Sequence, residues 1–214
     1  MWWGALVTPK QLTINEVTVH SPQLPKAFEG YRIVQFSDIH TGTYGNDTTI
    51  ISNLVDRLNS LHPDLLIFTG DIVNRQTDEL HPFIPVLKRL HATDGIYSIL
   101  GNHDYGDYRE WPTKEAKQQN MEELISIQRD TLHWKLLLNE HDFLHRGNDS
   151  IAIIGIENWG EPPFNTYGDL HKAYPSLHDA NYKLLLSHNP KHWEFEVMDK
   201  ANVDLTLSGH THAM

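Results

Sequence analysis

The 214-residue chain contains no cysteine. That excludes a disulfide framework and every thiolate metal site, while leaving the redox compartment undecided. Its apolar opening, residues 2–7, is far short of the ~20 residues a membrane-spanning helix requires. The opening also lacks the cationic start and long apolar stretch of a signal peptide. Basic residues are scarce: 17 Lys plus Arg stand against 28 Asp plus Glu, a net charge of −11 with His neutral. Clustered Lys and Arg supply the grip on a nucleic-acid backbone, so no long nucleic acid is expected as a partner. Internal repeats, low-complexity stretches and linkers are absent as well. With 39% hydrophobic and 21% charged residues, the chain is neither collagen-like nor disordered.

Histidine is what the chain has in excess, 15 in all. A neutral imidazole is the commonest protein metal ligand, so the positions of these residues are the first functional question. The length suits one domain, on a prior of ~100–200 residues per domain. Such a domain buries roughly 70% of its unfolded surface and needs no staple.

Strand-type and helix-type patterns alternate along the chain, which implies a layered α/β fold. Apolar runs predict strands at 31–36, 65–68, 96–100, 182–187 and 203–208, with short strands at 135–138, 142–145 and 150–155. Leu12, Ile14, Val17 and Val19 give an interrupted alternation that predicts a further, irregular strand. Three- and four-residue steps predict helices over 50–61 and 80–90, with Pro82 and Pro85 tolerable only near the first turn of the second. A polar helix is expected from Thr113, a cap residue, to about residue 132, and another helix from Lys191.

Five polar clusters each follow an apolar strand directly: Ser37-Asp38-Ile39-His40, Gly70-Asp71-Ile72-Val73-Asn74, Gly101-Asn102-His103-Asp104, Ser187-His188-Asn189-Pro190 and Gly209-His210-Thr211-His212. Ligands of sheets flanked by helices bind beyond the carboxyl ends of the strands. In an extended chain residues i and i+2 point the same way, so Asp38 with His40, and His210 with His212, are expected to present ligand pairs. Carboxylate, imidazole and amide without sulfur suit Mn, Fe, Zn or Co. Two metals ~3.5–4 Å apart are the recurring site for phosphoryl chemistry, and Asp71 is the candidate shared carboxylate. Taken singly three of the clusters are weak: Asp-X-His is common, Gly-Asp is turn chemistry, and a lone His188 reads as a cap or core residue. His210-Thr211-His212 is a better signal, and Gly101-Asn102-His103-Asp104 after a strand is the strongest single one. All five, in this order and at strand ends, are hard to explain as turns.

The series resembles the calcineurin-like metallophosphoesterase superfamily, most closely its bacterial membrane-associated phosphohydrolases similar to UDP-diacylglucosamine pyrophosphatase. The resemblance runs from about Tyr31 to His212 and implies a four-layer α-β-β-α sandwich of two mixed sheets. By position it assigns Asp38, His40, the bridging Asp71 and His212 to one divalent metal. Asp71 again, Asn102, His188 and His210 fall to a second, with manganese the favoured ion. His103 would be the catalytic histidine, with Asp104 fixing its tautomer and orientation; Asn74 keeps a supporting role. Two divalent ions against Asp38 and Asp71 leave the site at +2, and a water bridging two cations loses its proton near neutral pH. The expected enzyme is therefore a dinuclear hydrolase of phosphate ester or pyrophosphate bonds, in which a metal-bridging hydroxide attacks phosphorus. Its substrate would be a phosphorylated small molecule or lipid, with a lipid-linked nucleotide sugar favoured.

Two alternatives stay open: a soluble nucleotide phosphodiesterase, and a non-catalytic binding protein on the same fold. The latter is expected to have lost ligands or the catalytic histidine, and none of the seven ligands nor His103 is missing. Residues 1–30 are expected to hold a membrane-helix stub and a first strand ahead of the catalytic domain, 31–214. Localisation is accordingly membrane-associated or cytoplasmic. Trp111, Trp134, Trp159 and Trp193 are candidate pocket-lining aromatics, Trp159 foremost because Asn158-Trp159-Gly160 follows a strand. The chain ends at Met214, just past the histidines expected inside the site, so C-terminal strands of the fold are expected to be missing.

Overall fold

Residue Leu66 faces helices and its neighbour Leu65 faces a second sheet, and this two-sided burial sets the architecture. The computed structural model describes residues 12–161 and 163–212. Strands β1 (Ile33–Phe36), β2 (Leu65–Phe68), β3 (Ile96–Ser98) and β4 (Lys135–Leu136) form one sheet in that order, parallel throughout. Strands β5 (Glu140–Arg146), β6 (Asp149–Gly155), β7 (Tyr182–Leu186) and β8 (Leu205–Leu207) form the other. There β5 and β6 pair antiparallel, and β6, β7 and β8 run parallel. The expected mixing of directions is thus confined to the second sheet. Only β5 and β6 are joined by a tight turn, at Gly147 with φ +60°; the parallel neighbours need longer crossovers.

The inner parallel strands β2, β3 and β7 are buried on both faces, as continuous apolar runs require. Leu66 and Phe68 of β2 pack on the helices, whereas Leu65 and Ile67 meet Ile151, Ile153, Leu184 and Leu186 between the sheets. Ala152, Ile154 and Leu185 point to the outer side of the second sheet and pack on Leu170, Ala173 and Val197. The layers are therefore helix, sheet, sheet, helix. Helix α1 (Thr49–Asn59) buries Ile51, Val55 and Leu58, one stripe at helical spacing.

Proline modifies the next segment. Residues Thr77–Phe83 wind as a 3-10 helix, and α2 is only Ile84–Leu87. Of the expected apolar positions Leu80, Phe83, Ile84, Leu87 and Leu90, all are nevertheless buried except Ile84, which is half-buried. Helix α3 (Lys114–Ser126) starts where Thr113 accepts the Ala116 N–H at 3.1 Å, and it passes into a π-helical turn over Ile127–Thr131. The short α4 (Leu170–Ala173) is capped by Asp169. The helix expected from Lys191 begins there, with residues 191–192 α-helical and leading into a π-helical turn, Trp193–Val197.

The strand expected around residues 12–19 does not form. Residues 12–20 pair with no strand, and Leu12, Val17 and Val19 are exposed, Val17 at 82%. Its broken alternation gave it no single apolar face to bury. The stub expected at residues 2–7 lies outside the described residues. Among those described, no helix is long and apolar enough to cross a membrane.

His192, just ahead of the second π-helical turn, is 1% exposed and its Nδ1 has no hydrogen-bond partner. Burial lowers its pKa to about 4, below the ordinary value of ~6.5. Stability from keeping this imidazole neutral is therefore complete above pH 6.5 and is lost as pH falls through 4. Urea denaturation at pH 7 and pH 4.5 should show wild type losing about 2 kcal/mol more than His192→Leu between the two conditions. Equal losses would contradict this account.

Candidate metal centre

All five polar clusters lie at the carboxyl ends of β1, β2, β3, β7 and β8, on one edge of the sandwich. Backbone hydrogen bonds lace the loops together. The Asp38 N–H donates to the Gly70 carbonyl at 2.9 Å, His40 N–H to Asp71 at 3.1 Å, and Gly209 N–H to His188 at 3.0 Å. Gln35 Nε2 donates across the sheets to the Ser208 carbonyl at 2.6 Å, and within its own sheet to the Thr69 hydroxyl at 3.0 Å. Close approach explains two glycines: a Cβ on Gly101 would sit on the Asp71 carboxylate, and one on Gly209 on Ser37 and Asp38.

The backbone reason expected for the Asp-X-His and His-X-His pairs is wrong. Asp38, His40, Asp71, His210 and His212 all have left-handed backbone, with φ of 54°, 49°, 62°, 74° and 48°. Such non-glycine residues cost of order 1–3 kcal/mol each and cluster at functional sites. Asp38 and His40 still converge, but His210 and His212 face different groups.

Two groups result. In the first, His40 Nε2 and His212 Nε2 are 3.2 Å apart, and Asp38 Oδ1 lies 3.9 Å and 3.5 Å from them respectively. In the second, Asn102 Oδ1 is 3.1 Å from His188 Nε2 and 2.9 Å from His210 Nδ1. Asp71 Oδ2 joins the two, 3.2 Å from His188 Nε2 and 3.7 Å from His40 Nε2.

These donor atoms fit a pair of divalent cations. His188 donates from Nδ1 to the Thr69 carbonyl at 2.7 Å, which leaves the Nε2 lone pair of the neutral ring aimed at two oxygens. His188 is fully buried and Asp71 1% exposed, and lone pairs facing each other in such a place call for a cation or a proton. Without a metal the proton is favoured. Burial opposes both shifts, but the hydrogen bond and attraction between the partners raise the His188 pKa and lower that of Asp71. Burial lowers the pKa of His40 and of His210, keeping them neutral and able to ligate. Nitrogen and oxygen donors without sulfur suit Mn, Fe, Zn or Co.

His103 sits beside the first group, its ring 4.8 Å from that of His40. The expected orienting partner, Asp104, does not serve it. The His103 Nδ1 faces the Asn74 carbonyl at 2.8 Å. Asp104 is fully buried and accepts the backbone N–H groups of Gly101, Asp71, Ile72 and Val73 at 2.8, 2.9, 2.9 and 3.2 Å. Burial, then the nearby Asp71 charge, pushes its carboxyl up to about 7 against the pull of those donors. Asp104 thus pins the β2 and β3 loops to each other. No side-chain motif announces a backbone carbonyl, so the partner of His103 could not be read from the sequence.

A cleft of about 270 Å³ opens beside the second group, lined by Asn102, Tyr108, Asn158 and Phe164 among others. Of the candidate aromatics, Trp134 is core, Trp111 donates to the Gly106 carbonyl, Trp193 packs on the outer layer, and Trp159 stacks on Phe195 at 5.4 Å. Asn158, not Trp159, reaches the cleft. Tyr108 went unnoticed in the sequence, although its position six residues after Asn102 in a polar loop was a signal.

A two-sheet α/β sandwich with an Asp/His/Asn cluster at the strand ends defines a class of metal-centred phosphoesterase folds. The chain belongs to the calcineurin-like phosphoesterase family, whose description it matches over residues 31–214. It is 31% identical to the uncharacterized metallophosphoesterase YkuE of Bacillus subtilis, over 98% of this chain and 68% of that protein. It is 29% identical to a Bos taurus transmembrane protein with metallophosphoesterase domain, covering 96% of this chain but 45% of the relative. A UDP-2,3-diacylglucosamine pyrophosphatase, LpxG of Chlamydia trachomatis, is 28% identical over 98% of this chain and 72% of its own. Among solved structures, the NAD nucleotidase of Haemophilus influenzae superposes with a TM-score of 0.55 at 17% identity, over 85% of this chain and 38% of that one. The chain therefore spans less than half the length of some relatives it matches.

Replacing Asp104 with Ala strands four backbone donors, so it should lower stability by about 3 kcal/mol or more in chelator-treated protein. Urea denaturation with EDTA checks this; a loss under 1 kcal/mol would show that the carboxylate is not the anchor.

Proposed function

We propose that the protein is a dinuclear metal-dependent hydrolase of phosphate ester or pyrophosphate bonds. One observation carries the reading: a single buried oxygen, Asp71 Oδ2, lies within 3.7 Å of ligating nitrogens in both groups. Asp38, His40, Asp71 and His212 would hold one divalent cation, manganese favoured, and Asp71, Asn102, His188 and His210 the other. The cations would supply positive charge to the phosphoryl oxygens and acidify the attacking water.

The chain's own residues do the rest. Asp71, held by the His103 N–H at 2.8 Å, keeps its other oxygen fixed between the groups. Thr69 sets the His188 tautomer through its carbonyl, the kind of outer contact that orients a ligating imidazole. With His103 Nδ1–H donating to Asn74, its Nε2 is the atom that gives a proton to the departing oxygen, a general-acid role. The adjoining cleft, polar at Asn102 and Asn158 and aromatic at Tyr108 and Phe164, would receive one side of the substrate.

Similarity to a UDP-2,3-diacylglucosamine pyrophosphatase and to transmembrane relatives supports a lipid-linked phosphate substrate and membrane association of the full-length protein. The acidic balance favours such a ligand over long nucleic acid.

Two variants separate the roles. His103→Ala should retain its metal while losing about 10²–10⁴-fold in rate on a generic phosphodiester with manganese; parent-like turnover would remove the general-acid role. Asp71→Asn should instead bind markedly less metal per chain by elemental analysis, and full occupancy in it would contradict the shared carboxylate.

A further inference from the structure

Asn102 has an ambiguous side chain. Its amide offers an oxygen that can ligate and a nitrogen that cannot, and the two ends are nearly equal in size. His210 Nδ1 lies 2.9 Å from Asn102 Oδ1, and a ring ready to ligate through Nδ1 carries its lone pair there, so in a metal-free site a flipped amide could donate Nδ2–H to it. Something must favour the ligating orientation.

Tyr108 is placed to do so. Asn102 Nδ2 donates to the Tyr108 hydroxyl oxygen at 2.8 Å, on the side of the amide away from His188 and His210. The ring of Tyr108 stacks on His103 at 4.3 Å and 20°. The loop that carries it is fastened on either side. Asp107 pairs with Lys117 and accepts from the Tyr167 hydroxyl at 2.9 Å, while Trp111 Nε1 donates to the Gly106 carbonyl at 2.7 Å. The phenol is thus held by scaffold rather than by the amide it contacts.

We propose that Tyr108 is a positioning residue: by accepting from Nδ2 it anchors the Asn102 amide in place with Oδ1 toward His188 and His210, and so sets the affinity of the second cation site. The inference rests on the two-cation reading above. Losing such an outer partner typically weakens metal binding 10–100-fold. Tyr108→Phe keeps the ring against His103 and removes only the hydroxyl.

Manganese titration of the full chain by isothermal calorimetry tests this, with thermal unfolding in EDTA as a second readout. Wild type is expected to bind two ions. Tyr108→Phe is expected to bind one as tightly as wild type and the other 10–100-fold more weakly, with an unchanged midpoint in EDTA. In an Asn102→Ala background the same change should have no further effect on affinity, which a merely structural hydroxyl would not reproduce. Two unchanged affinities in Tyr108→Phe would overturn the lock, as would an equal loss in the Asn102→Ala background. Fewer than two ions in wild type would overturn the two-cation reading itself, a result read from the parent alone.

Discussion

The arrangement depends on unlike chain segments aiming acceptor atoms at one another in a place from which water is largely excluded. Asp71, Asn102, His188 and His40 meet at 3.1–3.7 Å, with a carboxylate oxygen, an amide oxygen and ring lone pairs facing inward. Nothing in that set is stable without positive charge between its members. A shared proton on the Asp71–His188 pair meets the need when metal is absent. Divalent cations would meet it more fully, because they would satisfy all the inward atoms at once.

Everything around the cluster serves to hold those atoms despite their repulsion. Five candidate ligands adopt left-handed backbone, a strain that only an over-determined surrounding keeps in place. Asp104 supplies much of that determination by gathering four N–H groups from two loops. The sheets contribute through parallel register, which brings the ends of β1, β2 and β3 level with one another and with those of β7 and β8. Strand ends fixed in this way hold side chains to the tolerance metal geometry requires.

Much of this was legible beforehand. Runs such as Leu65–Phe68 read as doubly buried strands, and the five clusters marked the strand ends, because burial and ligand chemistry both leave residue-level signatures. What stayed hidden was carried by backbone. Asn74 orients His103 through a carbonyl that any residue possesses, and Asp104 acts on amides rather than on the adjacent ring. The i, i+2 argument reached the right pairs for Asp38 and His40 through the wrong conformation. Residues 12–19 show the reverse failure: alternating apolar residues without a neighbouring strand stay exposed.

The central claim is that two cations share the Asp71 carboxylate. Anomalous diffraction from crystals grown with manganese tests it most directly. Two peaks ~3.5–4 Å apart on either side of Asp71 Oδ2 are predicted. A single peak, or peaks away from that oxygen, would contradict it.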